Sequence, residues 1–531
     1  MSEPCVKKYH LVVLVHGLWG HGAHLEYISK ALQEHYVSKF GLRKEGEFTD
    51  EEIVIYTTHL NEGYKTYDGI DVCGVRVARE IEDRIEQLGA VTKFSLCGYS
   101  LGGLISRYAA GLLHRRQFFK KKDIELINFT TFCTPHVGVL APGKNVAVNL
   151  FNAIVPTVLG NSGKQMFLKD KVKRANGLPL VYLMGMEGSV FYRALQEFRY
   201  ISLYANVIND KRTAWWTSGI SRNDPFFDVT EQNGIHRFSY IKGYEPIVLD
   251  HMKPIKIFRI EDVEIADKSI CEKLKGEHEK THVVRENGSK VDRREYFFFK
   301  YWIAKIGRWI LVFLNLVLIA PLWVVWFLIS GFMETVKSTV RVTTFLRKYS
   351  HQLIQDFYDI PLEPLSEASS DLSATLTNEY EQHIQESLND QTDTFIESLY
   401  DAIERKNTLA AAVRESSPDL DLVPNSTSDA SDSITTTIRE LETTSVDHII
   451  SRAKGANLKK LPPLQNLRLA ISPRQLDIID SLNKLAWQKF PIYIRNTSSS
   501  HACAIVRHED PNFEEGKVVV KHWVEEVFKF E

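Results

Sequence analysis

Cysteine is scarce in this chain: six in 531 residues, at positions 5, 73, 97, 133, 271 and 503. None falls in a C-x-x-C pair or at metal-ligand spacing, which argues against a disulfide framework or a zinc site. Cys97 and Cys133 sit inside or beside apolar runs and read as buried thiols in a reducing compartment. Excess charge is lacking too. Lys and Arg total 65 against 67 Asp and Glu, a net charge of −2, and that balance points away from nucleic acid. Residues 1–10 hold no apolar stretch of signal-peptide type, so export is not expected. The N-x-S/T triplets at Asn128, Asn287, Asn425 and Asn496 then read as coincidence. No G-x-x-x-x-G-K-[ST] loop or other strong cofactor motif occurs, and no cofactor or metal is expected.

What is present is a serine in a telling context. Residues 94–114 read FSLCGYSLGGLISRYAAGLLH. A short apolar run of buried-strand type leads into Gly98-Tyr99-Ser100-Leu101-Gly102, and an apolar helical stretch follows from Leu104. A nucleophilic serine must stand at a tight strand-to-helix corner with its hydroxyl exposed. The glycines two before and two after lack side chains so that strand and helix can approach. A second apolar strand, residues 11–15, ends in His16-Gly17-Leu18-Trp19-Gly20. Such a small-residue turn can aim backbone N–H groups at a reacting centre. An oxyanion hole here would use Leu101 after the nucleophile and Leu18 from this early loop. Read alone, the loop is as well explained as a glycine-rich turn whose His16 bonds the backbone.

A hydrolytic serine needs a base and an acid, in the order serine, acid, histidine along this kind of chain. Residues 201–207 read as a strand, and Asp210 lies in the turn beyond it. Its role would be to hold the histidine's tautomer, although Asn-Asp pairs more commonly serve turns. Asp224 and Asp228 are rivals that follow no strong strand. Of the 18 histidines, chain order excludes those before Asp210, His136 included. His236 and His501 both remain. His501 ends the polar loop NTSSSH after an apolar strand at 490–494, where the last strand would bring a base beside the nucleophile.

These motifs resemble the "putative serine esterase" family of α/β-hydrolases, which includes lipid-droplet phospholipases and plant and fungal lipases. The resemblance rests on HLVVLVHGLWG, YKTYDGIDVCGVRVARE, FSLCGYSLGGLISRY, TTFCTPHVG, LYANVINDKRTAWWTS and SSHACAIVRHEDPNFEEGKVVVKHW. It spans residues 10–225 and 485–525, with a long interruption between. It implies an acid at Asp210 and a histidine at His501, and a lipase or phospholipase activity. Some relatives have His before the nucleophile, where this chain has Tyr99. The expected fold is therefore the α/β-hydrolase fold, a mostly parallel sheet flanked by helices, built from residues 1–292 and 472–531.

The remaining segments have their own character. Residues 139–200 alternate glycines with apolar stretches and suit either a lid over the site or ordinary helices packed on the sheet. Residues 245–292 read as an insertion with some strand and a charged end. Residues 361–447 carry 19 acidic against 4 basic side chains amid abundant Ser and Thr. That composition predicts a largely disordered linker over 349–471. Order is expected to return at Ser472-Pro473-Arg474-Gln475, which has the form of a helix capping box with proline at the first helical position.

Residues 309–333, WILVFLNLVLIAPLWVVWFLISGFM, form 25 positions without a charge, within an insertion at 293–348. Trp302, Trp309, Trp323 and Trp326 crowd the run as interfacial aromatics do. A single crossing of a bilayer would strand His501 on the opposite face from Ser100 and Asp210. Basic residues flank both ends, Arg293, Arg294, Lys300, Lys305 and Arg308 before and Lys337, Arg341, Arg347 and Lys348 after, so both ends should stay on the cytosolic side. Pro321 offers a bend, and each arm of about 12 residues would reach about 18 Å as helix. The expectation is a hairpin or interfacial anchor in one leaflet, suited to the monolayer of a lipid droplet or the cytosolic face of the endoplasmic reticulum. The expected chemistry is hydrolysis of lipid acyl esters, glycerophospholipids foremost. A neutral-glyceride lipase, an acyltransferase and, less favoured, a non-enzymatic droplet scaffold are the alternatives.

Overall fold

The computed structural model describes residues 7–41, 51–141, 146–172, 175–208, 210, 212–226, 236–253, 256–257, 320–349 and 471–531. The organising element is a six-stranded sheet. Its strands are β1 (Lys8–Val15), β2 (Glu51–Thr57), β3 (Val91–Tyr99), β4 (Glu125–Phe132), β5 (Tyr200–Asn206) and β6 (Trp487–Ile492). They lie in the order β2-β1-β3-β4-β5-β6, and every neighbouring pair is parallel. A parallel sheet needs cover on both faces, so its strands are apolar runs rather than alternating ones. β1 fits: Leu11, Val12, Val13, Leu14 and Val15 are all buried.

One face of the sheet packs on α1 (Glu26–Phe40) and on the C-terminal helix Glu514–His522, with Val12, Leu14, Ile28, Leu32, Val519, Val520 and Trp523 in one cluster. Leu11, Val13 and Val15 point the other way. That face is covered by α2 (Ile70–Leu88) and α3 (Leu101–Arg115), which also pack on each other. At their contact a Cβ on Gly74 would lie 2.5 Å from the Tyr108 ring, so only glycine lets the two helices close.

The segment after β4 divides. Two helices, α4 (Val146–Val158) and α5 (Gly160–Met166), lie at the C-terminal end of the sheet, whereas Val190–Gln196 packs on α3 as an ordinary sheet helix. Residues 139–200 thus hold both helices at the end of the sheet and a helix packed against it. The capping box at Ser472 is formed with Gln475, and Pro473 opens the helix behind it.

Contacts divide the chain into two units. The first, residues 1–229, 239–254 and 334–531, holds the sheet. The second, residues 230–238 and 255–333, holds among its described residues the antiparallel pair His236–Arg237 with Lys256–Ile257 and the start of α6. α6 (Ala320–Tyr349) is continuous over 30 residues, with Pro321 in its first turn where a missing N–H costs nothing. Of the expected anchor at 293–348, residues 293–319 lie outside the described residues, as does nearly all of the acidic linker, 350–470. No described helix is long and apolar enough to cross a membrane.

The packing is close where β1 ends. A Cβ on Gly102 would stand 2.2 Å from the Val15 carbonyl oxygen and 2.5 Å from that of His16. Backbone atoms cannot yield as a side chain can. Gly102→Ala should therefore destabilise the protein by about 1–3 kcal/mol, read as a lowered thermal midpoint. An unchanged midpoint would show that close approach is not what demands glycine there.

Candidate active site

β3 ends at Tyr99 and α3 begins at Leu101, leaving Ser100 alone at the corner. Its backbone has φ 54 and ψ −127, a strained conformation for a residue with a side chain. Neighbours impose it. The Ser100 N–H donates to Phe132 O at 2.8 Å, and its own carbonyl accepts from the Thr134 hydroxyl at 3.0 Å. Gly98 lies so close to Gly103 that an added Cβ would come within 2.5 Å of the Gly103 Cα. Gly103, which the five-residue motif does not include, abuts Thr134 so closely that a Cβ would stand 2.1 Å from its hydroxyl.

The loop 16–20 meets the serine directly. A Cβ on Gly17 would lie 2.8 Å from Ser100 Cβ. The loop is held by Gly20 N–H to Gly17 O at 3.0 Å and by Trp19 N–H to the Thr66 hydroxyl at 3.1 Å. Trp19's amide is thus engaged, and Leu18 and Leu101 line the cleft beside Ser100. His16 bonds its own turn through Nδ1 to Gly17 O at 3.0 Å, and burial lowers its pKa to about 4. It is a neutral structural histidine.

β5 and β6 carry the other two groups to the same end of the sheet. Asp210 follows β5, and His501 sits in the short helix Ser500–Cys503 after β6. Their side chains meet with Asp210 Oδ2 at 2.9 Å from His501 Nδ1, both 2% exposed. The carboxylate is held on every side: Oδ1 accepts from the N–H groups of Arg212 and Thr213, and Oδ2 from the Asn206 amide and the Thr213 hydroxyl. Burial alone would raise its pKa, but the facing imidazole and these donors outweigh it and lower the pKa to about 2. Asp210 is a carboxylate at any ordinary pH. His501 Nε2 has no hydrogen-bond partner in the protein, and the histidine opens into the cleft that Ser100 also lines.

Of the rivals, Asp224 caps its own turn by accepting from Phe226 N–H at 3.0 Å, Asp228 lies outside the described residues, and His236 belongs to the small strand pair. Cys133 Sγ, Asp210 and His501 place ligand-type atoms within 4.8 Å of one another, the one such group among the described residues. Burial, and then the charge of Asp210, push the Cys133 thiol well above its ordinary pKa. A thiol so held is in the wrong state to bind a metal. Cys73, Cys97, Cys133 and Cys503 are all buried and unpaired.

The cleft encloses about 800 Å³ of empty space open to solvent. Phe151, Val155 and Met166 of α4 and α5, with Leu159 and Phe167 just after them, form an apolar wall, and Arg212 and Arg507 are among the other lining residues. Sequence reading missed three supports: Thr213, Thr66 and the Tyr99 hydroxyl, which donates to the His501 carbonyl at 3.1 Å. The only trace of the last was that tyrosine stands where some relatives have histidine.

Residues 6–221 match the family described as "Putative serine esterase (DUF676)". "Putative lipase ROG1" of Saccharomyces cerevisiae is 28% identical over 258 residues, 47% of this chain and 33% of that protein. "Putative lipase C4A8.10" of Schizosaccharomyces pombe is 25% identical over 256 residues, 46% of this chain and 29% of that protein. The matched stretch is thus about a third of the length of these relatives. Among solved structures, phospholipase PlaB from Legionella pneumophila aligns at 14% identity over 40% of this chain and 42% of that one, with a TM-score of 0.25. Lipase BlEst2 of Bacillus licheniformis aligns at 20% identity over 26% and 44%, with a TM-score of 0.17. Likenesses so slight carry no argument.

The Tyr99 hydroxyl ties the end of β3, beside Ser100, to the short helix that carries His501. Removing a neutral hydrogen bond costs about 1 kcal/mol. Tyr99→Phe should lower kcat on a soluble ester about fivefold with KM unchanged, if that energy is felt at the barrier. A KM effect alone would assign Tyr99 to the binding wall.

Proposed function

We propose, from the premise that residues 6–221 belong to the putative serine esterase family, that this chain is a serine hydrolase cleaving acyl esters of lipids. The observation that carries the reading is the meeting of Asp210 with His501 in the cleft lined by a strained, exposed-corner Ser100. Ser100 Oγ attacks the ester carbonyl carbon while His501 Nε2 takes its proton. Asp210 holds the Nδ1–H and stabilises the imidazolium. The N–H groups of Leu18 and Leu101 receive the oxyanion, each such donor contributing about 10²–10³ in rate. Collapse expels the alcohol with the proton from His501, leaving an acyl-enzyme that water hydrolyses by the same route.

The substrate class follows from the lining. An apolar wall from α4 and α5 suits an acyl chain, and Arg212 with Arg507 suits an anionic phosphate beside it, which favours glycerophospholipids over neutral glycerides. The place of action we assign is the monolayer of a lipid droplet or the cytosolic leaflet of the endoplasmic reticulum. The support for it is the uncharged run at 309–333.

Ser100→Ala should abolish labelling by a fluorophosphonate probe while leaving the thermal midpoint unchanged. Persistent labelling of that variant would remove Ser100 from the chemistry. Arg212→Gln and Arg507→Gln should each lower kcat/KM on phospholipid emulsions about tenfold, the loss of one charged hydrogen bond. On triglyceride emulsions the loss should be much smaller. Equal losses on both substrates would refute head-group recognition by these arginines.

A further inference from the structure

α6 is turned inside out for a helix of a water-soluble surface. The face it lays on the domain is polar: Glu334 is 8% and Ser338 1% exposed, and Arg341 follows at the next turn. Asp68, at the end of the 3-10 turn Gly63–Asp68, receives Ser338 and Arg341, while Glu334 pairs with Lys337 and Arg341. Ser338 donates to Oδ1 at 2.7 Å, Arg341 Nη2 reaches Oδ1 at 3.0 Å, and Arg76 Nη2 reaches Oδ2 at 2.7 Å. The opposite face is apolar and open. Val340 is 62% and Val336 45% exposed. Residues 336 and 340 share one side of a helix of 3.6 residues per turn, and 334, 338 and 341 the other.

The helix meets α4 through Thr335, whose hydroxyl donates to Thr157 O at 3.0 Å. Leu150, Ile154 and Thr157 form one stripe of α4, and Leu150 and Ile154 are exposed. The next stripe, Phe151 and Val155, lines the cleft of Ser100. An outward apolar surface thus runs from α6 onto the very helix whose inner side holds the substrate wall.

We propose that the outward faces of α4 and α6 seat on a phospholipid leaflet, so that the mouth of the cleft opens into the lipid. This rests on the lipid hydrolase reading above and adds the docking surface to it. The occupant is set by three features. A helix that hides charge and exposes valines fits an apolar medium. Its sequence continues without a charge from 309, which no protein groove requires. Lys337 and Arg347 stand exposed beside the apolar stripe, where long cationic stems can reach phosphates.

The test uses the full chain with Cys5 and Cys271 changed to Ser and one bimane-labelled cysteine, Val340→Cys or Lys121→Cys. Lys121 lies ahead of β4, at the end of the sheet opposite Ser100. Vesicles of phosphatidylcholine and phosphatidylinositol carrying a doxyl-labelled acyl chain supply the quencher. Quenching at 340 should exceed that at 121 at least threefold. Equal quenching, as a second copy or a protein partner on this face would give, overturns the proposal. In parallel, V336E/V340E should lower the ratio of the rate on vesicle phospholipid to the rate on p-nitrophenyl butyrate about tenfold, and V336L/V340L should keep it. An unchanged ratio in V336E/V340E also overturns it. If the hydrolase reading itself fails, the wild type turns over neither ester while the quenching contrast persists, so the two failures are told apart.

Discussion

The site depends on one pinch, the contact between the end of β1 and the first turn of α3. Gly102 lies on the carbonyls of Val15 and His16, and Gly17 lies on Ser100 itself. Strand and helix meet without side chains between them. The strained backbone of Ser100 is therefore enforced from outside, by neighbours that are themselves fixed in the sheet. The same contact registers the 16–20 loop against the serine without any hydrogen bond between them.

Around the pinch runs a second layer of constraint, supplied by the short stretch Tyr64 to Gly69. Thr66 holds the Trp19 amide, Gly69 N–H donates to the Ser162 hydroxyl of α5 at 3.1 Å, and Asp68 gathers Arg76, Ser338 and Arg341. One 3-10 turn thus fastens the early loop, the wall of the cleft and the helix that follows the apolar run. A buried carboxylate with three donors is costly to break, because removing it leaves two guanidinium groups without their partner. In the sequence YKTYDG stands out only as part of a stretch that carries the family resemblance, yet it is where these parts are joined.

That contrast explains what could be read beforehand. β1, the elbow and the capping box at Ser472 are local patterns, each written within about ten consecutive residues, and periodicity and turn chemistry suffice for them. The pairing of Asp210 with His501 came within reach because each follows a strand, and strand ends in a parallel sheet converge. Tyr99 with His501, and Asp68 with Arg341, join residues 402 and 273 positions apart. No periodicity encodes such a meeting. The choice between a lid and a packing helix over 139–200 was equally beyond a local pattern, since both are apolar and only the neighbours differ.

The order in which the sheet is assembled has a consequence for the living cell. β5 ends at Asn206, and the strand that pairs with it starts only at Trp487. Synthesis proceeds from the N-terminus and domains fold as their parts emerge. A growing chain therefore carries Ser100 and Asp210 long before His501 is made. Until Trp487–Ile492 emerges, β5 keeps one row of backbone N–H and C=O groups unpaired, a template for mispairing that the last strand closes.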